Sequence, residues 1–165
     1  MVTQATADVV WAALETVADP EIPAVSVVDM GMILSVAVGD EKAQVIVLPT
    51  FTGCPAIGVI EQDVRSAVSA VEGVEEVEIR MSFDPPWTSG RITPEGRRKL
   101  KDFGLAPPTG AGPVLVTEIG LPSEAICPFC GSKDTTNQSL FGPTPCRAIY
   151  HCSSCKNPFE QFKAV

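Results

Sequence analysis

The sequence predicts a small α/β domain, ordered α-β-β-α-β around a mixed sheet, followed by a zinc-ribbon-like terminal module. Three observations carry that prediction: hydrophobic periods that switch between helical and alternating in the first half, an uneven spread of charge and proline, and two CxxC pairs near the end.

The elements follow in order. Val10, Leu14 and Val17 fall on one face of a helix over about residues 6–18, with Thr6 or Asp8 near its start. Met32 to Val38 and Ala43 to Leu48 read as strands joined by a turn at Gly39, Asp40 and Glu41. Ile57, Ile60, Val64, Val68 and Val71 repeat at helical spacing, and Gly73 suits a helix C-cap. Val77, Ile79 and Met81 alternate with Glu76, Glu78 and Arg80, the pattern of a half-buried strand. Both helices are expected on one face of the sheet. A domain of ~80 residues buries a modest core of its own.

Charge and proline divide the rest. Residues 1–83 carry 13 acids and 3 bases, residues 84–126 carry 5 of each, and residues 127–165 carry 2 acids and 4 bases, so that −10, 0 and +2 make up the total of −8. Ten of the 15 prolines lie between Pro85 and Pro145. The reading is a compact acidic domain over 1–83, a Pro-rich arm over 84–126 and a Cys-rich module over 127–165. Within the arm, Thr93, Pro94 and Glu95 open a short helix, Leu100 and Phe103 supply its apolar contacts, and Gly104 stops it. Its Arg97, Arg98, Lys99 and Lys101 form either a solvated face or a patch that docks on an acidic surface. Trp87, after Pro85-Pro86, reads as a packing anchor.

Composition excludes several classes. At 45% hydrophobic and 19% charged residues the chain is globular rather than disordered. The acidic balance argues against gripping nucleic acid through its phosphates. Pro49 ends the longest apolar run well short of the ~18 residues a membrane span needs. The first thirty residues hold no Lys or Arg and no apolar leader core, which predicts a cytoplasmic chain. Six cysteines there point to metal or thiol chemistry rather than to structural disulfides.

Cys127-Pro128-Phe129-Cys130 and Cys152-Ser153-Ser154-Cys155 are separated by 21 residues. Two residues between thiolates let the backbone turn so that both sulfurs meet one metal, and two such turns complete a tetrahedral site. Structural Zn²⁺ is the reading, with rubredoxin-like iron and a redox-active dithiol as rivals. Cys146 and His151 lie close enough to be spare ligands, but a four-sulfur site needs neither. A module so poor in apolar residues would draw much of its stability from the metal. Cys54, in Thr50-Phe51-Thr52-Gly53-Cys54-Pro55, sits between a strand and the second helix. With Pro55 at the first helical position, the helix amides would stabilise its thiolate; a small buried cysteine at a tight turn is the bland alternative. Asp19-Pro20-Glu21 either ends the first helix or brings carboxylates towards Cys54.

Asp19-Pro20-Glu21 followed by Thr50…Gly53-Cys54-Pro55 resembles the SufT-like family of metal-sulfur cluster assembly factors, as do Pro85-Pro86-Trp87, Ile92-Thr93, Glu95-Gly96-Arg97 and Lys99-Leu100. With the terminal cysteines added, nearly the whole chain is similar to the PaaD-like (PaaJ-like) family of phenylacetate degradation. That resemblance implies an accessory role in aerobic phenylacetate catabolism, beside the multicomponent phenylacetyl-CoA epoxidase, a di-iron oxygenase with an iron-sulfur flavin reductase. It implies that Cys54 holds iron or an iron-sulfur cluster transiently, with Asp19, Glu21 and Thr50 around it, and that Cys127, Cys130, Cys152 and Cys155 bind zinc. It also implies that the reductase is the partner and that the chain pairs into a homodimer. Three roles stay open: a maturation factor without catalysis of its own, a structural subunit or scaffold of the epoxidase, and a thiol oxidoreductase using Cys127 and Cys130. The sequence supplies no Glu-x-x-His pair for di-iron and no Gly-rich cofactor motif.

Overall fold

A computed structural model describes residues 5–51, 53–110 and 124–164, which fall into two compact units divided between Trp87 and Thr88. Residues 111–123 of the expected arm, and Thr52 of the Cys54 turn, lie outside the described residues.

In the first unit, helix α1 spans Ala7–Leu14 and buries Val10 and Leu14. It is shorter than its hydrophobic period suggests. The Thr16 hydroxyl and amide both donate to Ala13 O, and the Val17 amide donates to Leu14 O. These bonds tighten the last turn and feed Val17, still buried, into strand β1 at Ala18–Asp19, which pairs antiparallel with β2 at Ile22–Ser26. The sequence reading did not anticipate this hairpin, because Asp19-Pro20-Glu21 offers no alternating pattern.

Strands β3 (Ile33–Gly39) and β4 (Lys42–Val47) form the expected hairpin. Asp40 and Glu41 at its tip both take positive φ, 49° and 62°, the geometry that matches strand twist in a two-residue turn. Helix α2 (Ile57–Ser69) buries Ile60, Val64 and Val68 and carries the chain to β5 (Glu76–Met81), which lies parallel to β4 from Lys42↔Glu76 to Val47↔Met81. The sheet is therefore mixed, in the order β3-β4-β5. Helix α1 packs on α2 and β3, and α2 on β5. Gly73, with φ 86°, serves the turn beyond α2 rather than its C-cap, which is Ala70. Trp87 is buried, and its indole N–H donates to Met30 O at 2.8 Å, as a packing anchor should.

The second unit opens on a single 3-10 turn, Ser89–Arg91, and helix α3 at Pro94–Asp102. Thr93 Oγ1 caps α3 by accepting from the Gly96 amide, and Gly104 ends it at φ 90°, both as expected. Leu100 is buried, but Phe103 is 50% exposed and supplies little packing. The basic patch is largely spoken for. Arg97 donates to Pro108 O and Ser89 O, and Arg98 pairs with Glu95 and Asp102. The segment after α3 is more than a connector, because Leu105–Ala106 forms strand β6 and lies parallel to the last strand of the unit. Strands β7 (Thr135–Ser139), β8 (Arg147–Cys152) and β9 (Pro158–Phe162) complete a sheet of order β6-β9-β8-β7.

One cluster of that sheet's core packs Ala106, Ala125, Ala148, Tyr150 and Phe159 round Cys127 and Cys152. The Tyr150 and Phe159 rings stack at 5.7 Å.

Candidate functional site

The two CxxC pairs sit on two backbone turns of the same design. In the first, the Gly131 amide donates to Cys127 O and the Cys127 amide to Ser132 O. In the second, the Lys156 amide donates to Cys152 O and the Cys152 amide to Asn157 O. The Ser132 and Ser154 hydroxyls bond across the turns at 2.8 Å. The result brings the sulfurs of Cys127, Cys130, Cys152 and Cys155 within 4.8 Å of one another. Tetrahedral Zn–S bonds of about 2.3 Å place sulfurs about 3.8 Å apart, so the quartet fits one such ion. Two close separations run between the turns: Cys127 to Cys155 and Cys130 to Cys152, each 3.6 Å.

Metal-free, these sulfurs share protons unequally. The Asn157 amide pulls the Cys155 thiol down to about 6. The Ser132 amide pulls on Cys130 in the same sense, but desolvation and the sulfurs of Cys152, Cys127 and Cys155 outweigh it and push that thiol up to about 12. Four thiolates in one place repel, and a divalent cation relieves the repulsion. Cys146 lies apart from the quartet, buried beside the Thr144 hydroxyl at 3.1 Å. His151 is half-buried on β8, opposite Pro158. Neither belongs to the group of potential ligands found among the described residues.

Cys54 follows β4 in the first unit. Its amide donates to Phe51 O at 3.2 Å and its carbonyl accepts from the Ile57 amide at 3.4 Å, so the chain turns tightly into α2. The helix begins at Ile57 with Ala56 as N-cap, two residues later than Pro55 suggests. Cys54 is half-buried, not sealed in the core. The expected stabilised thiolate is not what the surroundings produce. Burial pushes the Cys54 thiol up; the Ala56 and Ile57 amides oppose that, and the Glu21 and Asp19 carboxylates reinforce it. Helix amides therefore do reach the sulfur, but burial and negative charge win.

Glu21 and Asp19 lie within electrostatic reach of Cys54. Asp19 is also structural: its Oδ1 accepts from the Glu21 amide at 2.8 Å and the Ile22 amide at 3.1 Å, which shapes the β1–β2 turn. Glu21 is half-buried on that turn, and Thr50 is half-buried at the end of the β4 exit. The cysteine and the two carboxylates do not gather into a ligand cluster like that of the terminal quartet. One buried carboxylate escaped the sequence reading. Asp29 Oδ2 accepts from the Ser26 amide and hydroxyl, and the Ser26 hydroxyl accepts from the Asp29 amide. The Ser-x-x-Asp spacing of this box is visible in the sequence, yet it signals a local turn rather than a site.

Comparison with known proteins follows the same division. Residues 7–79 match the family described as iron-sulfur cluster assembly protein, and residues 111–163 match the PaaD zinc beta ribbon domain. An Escherichia coli protein whose name makes it one subunit of a "Putative 1,2-phenylacetyl-CoA epoxidase" is 37% identical over 94% of this chain and 92% of its own length. An iron-sulfur protein maturation auxiliary factor of Porphyromonas gingivalis is 42% identical over 53% of this chain and 83% of its own. A conserved hypothetical protein of Thermotoga maritima superposes with a TM-score of 0.54 at 36% identity, covering 61% of this chain and 98% of that one. No helix among the described residues is long and apolar enough to cross a membrane.

Proposed function

Because the chain belongs to the PaaD family, which joins an iron-sulfur cluster assembly domain to a zinc beta ribbon, we propose that it assists assembly or insertion of iron-sulfur clusters in a phenylacetyl-CoA epoxidase, the enzyme that epoxidises the ring of phenylacetyl-CoA. The partner in this reading is the epoxidase's iron-sulfur reductase component. Cys54 is the sulfur that carries iron or a cluster in transit, and Asp19, Glu21 and Thr50 form its surroundings. Cys127, Cys130, Cys152 and Cys155 hold a structural Zn²⁺ that braces the small second unit.

The observation that carries the reading is the setting of Cys54: a half-buried sulfur on the turn into α2, within electrostatic reach of two carboxylates. One thiolate binds iron weakly enough to release it, which suits a carrier better than a resident centre. The chain's own residues do three things. The Cys54–Ile57 turn fixes the sulfur, the Asp19 cap fixes the acidic turn, and the carboxylates attract a cation to the place where the thiol must lose its proton.

The test is Cys54→Ser in cells that express the epoxidase. The variant is expected to fold, to keep its zinc, and to leave the reductase with reduced cluster occupancy. Full cluster loading with the serine variant would overturn the role given to Cys54.

A second reading, a structural subunit or scaffold of the epoxidase, is favoured by the name of the Escherichia coli relative. A stable stoichiometric complex purified from cells, indifferent to Cys54→Ser, would support it. A dithiol oxidoreductase built on Cys127 and Cys130 is the weakest of the three, since both sulfurs belong to one compact quartet.

A further inference from the structure

The four sulfurs of the terminal quartet are not equivalent. Cys127 and Cys152 are buried and Cys155 is half-buried, whereas Cys130 is exposed. Phe129, beside it at the tip of the first turn, is 56% exposed, so this corner of the site faces solvent. The N–H donors are unequal as well. Cys152 receives the amides of Cys155 and Ser154, and Cys155 is met by both the backbone and the side-chain N–H of Asn157. Cys130 receives the Ser132 amide. Each N–H···S bond draws charge from a thiolate and makes it a poorer nucleophile, so Cys130 combines the best access with less of this quenching than Cys152 or Cys155. Across the two turns its Sγ stands 3.6 Å from Cys152 Sγ.

We propose that Cys130 is the point at which hydroperoxides attack this centre, and that its oxidation closes a disulfide to Cys152 across the two turns and releases the ion. The proposal rests on the zinc reading given above. The steps balance. The Cys130 thiolate attacks one oxygen of hydrogen peroxide, the O–O bond breaks, and Cys130 becomes a sulfenic acid with loss of hydroxide. The Cys152 thiolate then attacks that sulfur and expels a second hydroxide, and two protons from solvent convert both hydroxides to water. Two thiolates have lost two electrons, one peroxide has gained them, and only Cys127 and Cys155 would be left to hold an ion. The bond predicted here is not the one the CxxC spacing suggests, which would join Cys130 to Cys127.

The test uses the full chain, purified with its metal, carrying Cys54→Ser and Cys146→Ser so that only the quartet reports. Zinc content is measured first by mass spectrometry of the metal. Hydrogen peroxide is then titrated while a chromogenic chelator reads released zinc, and dimedone with peptide mapping locates the oxidised sulfurs. The expected result is stoichiometric zinc release, a first adduct on Cys130, a peptide pair linked through Cys130 and Cys152, and rebinding of zinc after reduction. A first adduct on another cysteine, a Cys127–Cys130 bond, or zinc retained with all four thiols intact overturns the proposal. Less than one zinc per chain before peroxide overturns the zinc reading itself, and this proposal with it.

Discussion

Gly131 and Lys156 hold the same place in the two CxxC turns. Each lies four residues after the first cysteine of its pair, takes a left-handed backbone with φ of 75° and 64° respectively, and donates its amide to that cysteine's carbonyl at 2.9 Å. Only the first position carries the residue that adopts such a φ without cost. A side chain there costs about 1–2 kcal/mol, partly offset by the smaller entropy an ordinary residue loses on folding. Lys156→Gly should therefore stabilise the metal-loaded unit by up to ~1 kcal/mol, and Gly131→Val should destabilise it by about 1–2 kcal/mol. Denaturant melts of both variants at equal zinc content check this; a lysine variant no more stable than the parent would contradict it.

Zinc binding should release protons. At pH 7.5 the metal-free quartet keeps a proton on Cys130, whose thiol is pushed up to about 12, while Cys155, pulled down to about 6, is already ionised. The ion must displace the Cys130 proton, so affinity rises with pH by about tenfold per unit for that proton between the two values. Calorimetry in two buffers of different ionisation heat reads the release directly. Identical heats in both buffers would mean that no proton leaves.

Much of this was legible in the sequence, and the gaps have physical causes. Val10, Leu14, Ile60, Val64 and Val68 announce both helices because each buries a continuous stripe. The four cysteines announce their cluster because CxxC spacing constrains a short turn. The β1–β2 hairpin stayed hidden because an Asp19 cap, rather than alternation, organises it. Strand β6 stayed hidden because Leu105–Ala106 is two residues long and is specified by its partner β9. The protonation of Cys54 is not legible in the sequence, because position alone reveals the helix amides but not the burial and the two carboxylates that outweigh them. Arg97 and Arg98 read as a basic patch because the sequence does not show which carbonyls and carboxylates they meet.

Trp87 should prove to be a fastener of the first unit. It is 5% exposed, and its indole N–H reaches Met30 O, a residue 57 positions earlier in the chain. Trp87→Phe keeps the ring but leaves that carbonyl without its donor, at a cost of about 1–2 kcal/mol; Trp87→Ala adds a cavity and should cost about 3–5 kcal/mol. Chemical denaturation followed by circular dichroism, which does not depend on the lost indole, ranks the two. Equal stability of the phenylalanine variant and the parent would show that the bond adds nothing.

The protonation of Cys54 determines how it loads cargo, and Glu21 is the residue that isolates the effect. Burial raises the thiol, and Glu21 and Asp19 raise it further by disfavouring a nearby negative sulfur. At pH 7.5 the thiol is therefore protonated, and its alkylation should be slower than that of a free cysteine and rise about tenfold per pH unit past the ordinary thiol range. Glu21→Gln removes one charge while leaving Asp19 to cap its turn through Oδ1, so the thiol should fall towards its ordinary value and alkylate several-fold faster at pH 8. The same substitution weakens the attraction for a cation. Reactivity and iron affinity should then move in opposite directions, whereas a change that merely loosened the turn would speed alkylation without the shift in its pH midpoint. Peptide-resolved alkylation rates across pH, set beside ferrous-ion binding under anaerobic conditions, separate these outcomes. An unchanged midpoint in the glutamine variant would show that Glu21 does not act on Cys54 through its charge.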